Sequence, residues 1–416
     1  MDRPAALEPR DAVARLRARV VLAGTAASLF LLSCAAARGG FFSSADPGDV
    51  GRYREFAERM LDGELPYRDF YMEYPPGAIA AFLAPTALGL GYNLAFKLTV
   101  AAAGVALVAT LVGILHALRA GAPRTALTLG TAILTPVGLG AVVLNRYDLW
   151  PALLLALALL ALLRGRPRLA FGLLAAGCAV KVYPVVALPV AAAHVLRTRG
   201  RRELVRALAT FAAVLGAVVL PFFALAPGGL GYSFKTQLVR QLQLESLPAS
   251  LLLAADKLGL YATAIVPGKP GSIDLAGTLP DALGVATSVL LVAALAVVWA
   301  LYRRAAESTE LQVAGAAASV TAFVAFSKVI SPQFLVWLVP LVPLVAGRVG
   351  PVATALLLAA LVTTQVEVVW EHPLRALGWP VWVLLLRNVL LVALFLALLR
   401  ALPSARRAPG AAAGRL

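Results

Sequence analysis

Residues 49–76 read DVGRYREFAERMLDGELPYRDFYMEYPP, a charged and aromatic stretch set between long apolar runs. With Asp46 counted in, it holds eight of the chain's 21 carboxylates. A chain that gathers its acids in one loop is expected to use that loop for chemistry or recognition. Val50, Tyr53, Phe56 with Ala57, and Met60 recur there at helical spacing, while Arg52, Arg54, Glu55, Glu58 and Arg59 take the other faces. The spacing predicts an amphipathic helix lying on a membrane surface and ending near Asp62–Gly63. Pro75–Pro76 then forces an extended turn.

Outside this loop the chain is dominated by apolar residues. Of its 416 residues 61% are hydrophobic and 14% charged, with a mean hydropathy of +0.85. A soluble globule of this size cannot hide that much apolar surface. Apolar runs of roughly 17–25 residues are what an ~30 Å hydrocarbon core demands. Runs are placed near 20–37, 94–117, 125–144, 149–163, 169–196 (broken around Tyr183–Pro184), 204–222, 281–302, 311–327, 333–346, 351–369 and 381–400. The reading is an all-α integral membrane protein, a polytopic helical bundle of about twelve spans with an outer-face amphipathic helix in its first loop. Residues 1–19 and 401–416 form basic cytoplasmic tails. Residues 20–400 form one transmembrane unit whose outer loop covers 38–93. The segment 77–90 is too short and too rich in Pro and Gly to read as a span, and it is placed as an interfacial helix. The first span is read as a retained signal anchor, and Cys34 and Cys178, both in apolar runs, as small buried hydrophobes.

The net charge of +16 needs a location before it implies a partner. With the N-terminus inside, the cytoplasmic pieces carry 22 of the 37 bases and six of the 21 acids. The whole excess therefore faces the cytoplasm, as the positive-inside rule requires, where anionic lipid headgroups offset it. Membrane lipids are the expected partner, and no nucleic acid is needed.

The same orientation gathers polar residues from separate segments at outer helix ends. They are the 46–76 loop, Asn145-Arg146-Tyr147-Asp148, Lys181, Ser327-Lys328 with Gln333, and Glu371-His372. Ionisable groups at membrane depth are costly and functional by default. Plainer explanations also exist. Asp46–Pro47 looks like a helix cap with Pro at the first helical position, which puts Asp49 in the first turn, where a carboxylate suits the helix dipole. Arg146, Lys181 and Lys328 are also placed as interfacial cations, with Arg146 a possible partner of Asp148. Glu73 and Tyr74 either contact a ligand or brace the loop, and His372 is either a ligand contact or a solvated loop residue. Tyr232, Lys235 and Arg240 belong to a second outer loop. No Asp-x-Asp pair stands ready for a divalent ion, so neither a metal nor another cofactor is expected.

An acid, then Tyr53, then Gly63-x-x-Pro66-Tyr67-x-Asp69-Phe70, then Glu73-Tyr74-Pro75-Pro76 resembles glycosyltransferase family 87. RYDLWPALL (146–154), KVYPVVALP (181–189) and FSKVISPQFLVW (326–337) resemble that family too. The resemblance implies the C-type glycosyltransferase fold and a polyprenyl-phosphate sugar donor, with mannose favoured. It also implies a base in the first outer loop that deprotonates a lipid- or glycan-linked acceptor hydroxyl, with inversion at the anomeric carbon. Asp49 is the first choice for that base and Asp46 the second. Arg146, Lys181, Lys328 and His372 are candidates for the departing phosphate. Tyr53, Tyr67, Asp69, Glu73, Tyr74, Tyr147, Asp148 and Gln333 are candidates for substrate contact. The expected place is the outer face of the cytoplasmic membrane. The alternative reading is a lipid-linked glycan flippase or other polytopic transporter. Such proteins place their polar site near the bilayer midplane between repeated halves, and no repeat is visible here.

Overall fold

The computed structural model describes residues 9–39, 48–268, 272–370 and 374–404. Asp46 and His372 lie outside the described residues. The first half of the chain forms α1 (Pro9–Ala36), α2 (Val50–Leu61), α3 (Ala78–Leu83), α4 (Tyr92–Ala117), α5 (Ala122–Leu139), α6 (Val142–Asn145), α7 (Leu149–Leu163) and α8 (Pro167–Val180). There follow α9 (Leu188–Leu225), α10 (Pro227–Leu238), α11 (Leu247–Lys257), α12 (Thr278–Arg304), α13 (Thr309–Ala325), α14 (Val349–Val369) and a closing helix, α15 (Pro380–Ser404). Three short strands, β1 (Leu242–Gln243), β2 (Ala264–Pro267) and β3 (Ile273–Ala276), pair antiparallel in the order β1-β3-β2.

Where twelve crossings were expected, six helical stretches among the described residues are long and apolar enough to cross a membrane: 16–36, 92–117, 183–225, 278–304, 349–369 and 380–403. Shorter apolar helices, α7, α8 and α13 among them, pack between these. The stretch 183–225 is not one rod. Gly200 sits at φ +79°, a backbone state that suits glycine. Arg168 pairs with Glu203 at 2.9 Å, and Gly172 packs beside Thr210 and Val214. The second half of α9 therefore follows α8 in the same direction, and the first half carries the chain back between them.

Two apolar runs are broken, the first where a helix was expected and the second at the break expected around Tyr183–Pro184. In place of a helix over 333–346 there are 3-10 turns at Pro332–Leu338 and Val342–Leu344. Pro332, Pro340 and Pro343 each remove a backbone donor and exclude a regular helix. Leu335, Leu338, Leu341, Val342 and Leu344 are nevertheless fully buried. Protein surrounds this irregular backbone, the condition under which it is tolerated at membrane depth. The second break follows α8, where Lys181 is extended and Pro184 opens another 3-10 turn, Tyr183–Ala187. The two breaks meet, with Tyr183 and Trp337 stacked 3.9 Å apart at 2°.

The amphipathic helix of the first loop is present as α2, but protein covers its apolar stripe. Tyr53 is 1% exposed and stacks on Phe82 at 4.6 Å, and Phe56 lies against Phe70. The segment 77–90 forms α3 and a 3-10 turn, with Ala78, Ala81 and Phe82 buried. It is too short to cross an ~30 Å core. Its entry is fixed where Gly77 N–H donates to the Ala179 carbonyl at 2.8 Å. A Cβ at Gly77 would come within 2.6 Å of that carbonyl oxygen. Gly77→Ala is therefore expected to lose about 1–3 kcal/mol to overpacking, visible as a lower thermal midpoint in detergent. An unchanged midpoint would show that the loop does not need this contact.

The polar residues separate to the two ends of the bundle. Where α4 ends and α5 starts, Arg124 grips Glu310 through two 2.7 Å hydrogen bonds. The end of α12 and the turn of α9 lie at this same end, with Glu307 held by Arg197 at 2.6 Å and by His194 at 2.9 Å. The opposite end carries the starts of α4 and α7, the ends of α5 and α8, and the loop 49–76.

Candidate active site

Asp49 occupies the cap position of α2, so the helix begins later than the Asp46–Pro47 reading places it. Its carboxylate makes no capping bond. Instead it accepts from the Tyr74 hydroxyl at 3.0 Å and pairs with Arg146. Arg146 reaches it because α6 stops at Asn145 and the next residue is extended. The alternative pairing of Arg146 with Asp148 does not form. Asp148, 1% exposed, accepts from Lys181 Nζ at 2.6 Å and from Trp337 Nε1 at 2.7 Å.

The Lys181 ammonium is boxed in by rings as well, 4.9 Å from the centroid of Tyr147, 5.2 Å from Trp337 and 5.4 Å from Phe334. A cation over π faces inside a dry wall is held by more than one partner. Tyr147, fully buried, packs edge-on to Tyr53, Tyr74 and Phe82. This aromatic cluster fixes α2 and Lys181 in one frame.

A cavity of about 580 Å³ opens at this end. Asp49, Glu73, Tyr74, Arg146, Tyr147, Lys181, Lys328 and Gln333 all line it. Tyr53, Tyr67, Asp69 and Asp148 do not. Tyr53 and Asp148 stand behind the wall. Tyr67 braces the loop, donating its hydroxyl to the Tyr74 carbonyl at 2.6 Å from a left-handed backbone at φ +68°.

Asp69 is exposed and closes the turn below. It accepts from Leu65 N–H at 2.7 Å and from the Arg68 guanidinium. Those bonds, Arg68's first, hold its carboxyl down at about 2 from an ordinary 3.8. A depressed carboxylate lends its stability above its unfolded pKa and loses it as pH falls through the folded one. The turn should stay protected from amide exchange at Leu65 down to pH near 3, and Asp69→Asn should raise exchange there at every pH. Equal exchange in both proteins would remove the carboxylate from that role.

Other cavity residues carry weight that the sequence reading did not give them. Arg52 pairs with Glu73 at 2.9 Å. Arg240 and Lys328 have no carboxylate within 4.0 Å among the described residues, in contrast to Arg52, Arg146 and Lys181. Burial first, and then the charge of Arg240, keep the Lys328 ammonium below its usual range. Two cations lining one cavity favour an anion between them. Lys328 also donates to the Leu238 carbonyl at 2.9 Å. Its loop is tied to β1, where Gln243 N–H donates to the Lys328 carbonyl and the Gln243 side chain accepts from Ile330 N–H.

Across the cavity Glu245 and Glu367 form an acidic wall. Behind it Arg387, fully buried in α15, lies 3.2 Å from Glu367 and 3.5 Å from Glu245. Asn388 donates to the Glu245 carbonyl at 3.2 Å. The sequence signal for this group is one acid and one base isolated within apolar runs, VTTQVEVV and LLLRNVLL.

Apolar helices of spanning length, short helices packed among them and a polar cavity at one end define a multi-helix membrane protein with an enclosed site. The family model described as Glycosyltransferase family 87 matches residues 71–332, well over half the chain. The chain belongs to glycosyltransferase family 87 and is a membrane glycosyltransferase. The matched stretch contains Glu73, Tyr74, Arg146, Lys181, Arg240 and Lys328. Asp49 precedes it, and Glu367 and Arg387 follow it. No curated protein matches the chain.

Proposed function

We propose that this glycosyltransferase moves a sugar, mannose favoured, from a polyprenyl-phosphate donor to a lipid- or glycan-linked hydroxyl with inversion, on the outer face of the cytoplasmic membrane. The observation that carries this reading is the meeting of the Asp49 carboxylate with the cations Arg146, Lys181, Arg240 and Lys328 around a single cavity. Its volume suits a sugar phosphate, since pockets for such ligands run to several hundred Å³. The orientation rests on the charge map, with the arginine-rich end inside and the cavity at the other end.

In this reading Asp49 takes the proton of the acceptor hydroxyl, and the oxygen attacks the anomeric carbon. The bond from that carbon to the phosphate oxygen breaks, and the lipid phosphate leaves with the electron pair. Protonation of Asp49 releases the charge of Arg146 as negative charge grows on the phosphate. Arg240 and Lys328, with no carboxylate within 4.0 Å among the described residues, are the cations to receive it, while Lys181 stays neutralised by Asp148. Fixed cations of this kind act by preorganisation rather than by moving. Glu73, Tyr74 and Gln333 are placed to orient the sugar or the acceptor.

The test is transfer by the purified chain in liposomes supplied with radiolabelled polyprenyl-phosphate mannose and an extract of envelope lipids. A labelled lipid or glycan product supports the reading. Label that crosses the bilayer without transfer would favour a flippase instead. Arg240→Ala and Lys328→Ala are each expected to cost roughly 10²–10³ in turnover if they stabilise the departing phosphate. Wild-type rates in both would move the phosphate elsewhere.

A further inference from the structure

A second polar cavity, of about 370 Å³, lies at the arginine-rich end, away from the candidate active site. It opens between the end of α7, the first half of α9 and the start of α13. Arg164, Arg199, Thr309 and Gln312 supply its polar wall. We propose that this cavity binds the phosphate headgroup of an anionic membrane lipid.

The charge accounting comes first. Three acids stand near this cavity, and each is engaged: Glu203 by Arg168 at 2.9 Å, Glu307 by Arg197 at 2.6 Å and Glu310 by Arg124 at 2.7 Å. Among the described residues Arg164 and Arg199 have no carboxylate within 4.0 Å, and both turn to the same cavity. His194, also in the wall, is tied to Glu307 at 2.9 Å.

The second observation is independent of charge. Gln312 is 1% exposed, and neither its side-chain oxygen nor its nitrogen has a hydrogen-bond partner. A buried amide left unsatisfied at both ends costs on the order of 1–3 kcal/mol per group, so its place in a cavity wall points to a polar ligand. An amide both donates and accepts, which suits a phosphate oxygen beside a headgroup hydroxyl.

Helix geometry adds to this. Thr309 opens α13, a helix of 17 residues whose Ser308 cap is already spent on Leu311 N–H at 3.0 Å. The first amides of α13 remain aimed outward with the positive end of the helix dipole.

A lipid is favoured over a free anion because the floor is apolar. Leu162, Leu163 and Val195 lie below the polar wall, and Leu169 and Leu196 stand exposed nearby on α8 and α9. Basic pockets between spanning helices take lipid headgroups in this way.

The experiment titrates the purified full chain, in neutral detergent, with phosphatidylglycerol and counts bound lipid by native mass spectrometry. One saturable lipid is expected for the wild type. The Arg164→Ala/Arg199→Ala double variant should bind about twenty-five-fold more weakly, at roughly fivefold for each arginine near an anionic headgroup. Arg201→Ala/Arg202→Ala removes the same charge from the same end, lies outside the cavity, and should stay within about twofold of wild type. Equal weakening in the two double variants would overturn the site in favour of general charge attraction. Equal binding of phosphatidylcholine would overturn the anionic headgroup. Displacement of the lipid by millimolar inorganic phosphate would make the ligand a free anion and overturn the lipid. Should the double arginine variant fail to elute as a folded monodisperse protein, Gln312→Leu decides: weaker binding supports the site, and unchanged binding overturns it.

Discussion

Asp49→Asn should insert and fold as the wild type does while transfer falls by roughly 10²–10⁴, the usual contribution of a general base. The substitution is informative because asparagine caps a helix about as well as aspartate. If Asp49 served only to start α2, the amide would replace it and the rate would be kept. In the structure the carboxylate makes no capping bond and turns to Tyr74 and Arg146. Asparagine can still accept from the Tyr74 hydroxyl, but it cannot take a proton from an acceptor alcohol. It also leaves Arg146 without its carboxylate. The loss should therefore appear in kcat, with the KM for the donor unchanged or lower. A variant that retains full kcat would remove Asp49 from the chemistry, and the base would have to be sought elsewhere in the loop.

The largest stability effect is expected at Asp148. Its carboxylate serves two buried donors, Lys181 Nζ and Trp337 Nε1, at the point where the two helix breaks meet. Asp148→Ala strands an ammonium and an indole N–H together. Removing one partner of a buried ion pair costs about 3–5 kcal/mol, most of it the penalty on the charge left behind. The expected result is a protein that unfolds at markedly lower denaturant and transfers no sugar. Adding Lys181→Met should restore much of the stability, because both charges are then gone, but not the activity. If the double variant were no more stable than Asp148→Ala, the pair would matter through the Trp337 bond and not through its charges.

These two residues also show what the sequence makes legible. The stripe Val50, Tyr53, Phe56, Met60 marks α2 because helical periodicity is local and survives whatever covers it. What covers it is not local. A leaflet and a wall of Phe82, Phe96 and Tyr147 impose the same pattern, and only tertiary packing distinguishes them. The run 333–346 reads as a span because hydropathy counts apolar side chains, whereas Pro340 and Pro343 act on the backbone. Asp49 draws attention through its neighbours, yet its first-turn reading places the helix start three residues too early. Its partner Arg146 stands 97 residues away, and the pairing of Asp148 with Lys181 instead of Arg146 depends on an extended residue at 146. Long-range choices of partner among charges of the same sign have no periodic signature. The family's motifs fill this gap in part, because they fall on the segments that converge on the cavity. Glu245, Glu367 and Arg387 are reached by neither route.

Arg387 has a consequence for the order of synthesis. On its own, an arginine inside an apolar helix resists entry into the bilayer, by about 2.5–3.5 kcal/mol where it sits at the helix centre. Its carboxylate partners, Glu367 and Glu245, are made 20 and 142 residues earlier. The last helix therefore meets a receptor for its charge already laid down by the chain before it. Until it arrives, Glu367 and Glu245 stand at the cavity without that cation. A ribosome that stops short of α15 would leave a nascent chain carrying a mark of incompleteness that membrane quality control can read, and the final helix erases that mark as it docks.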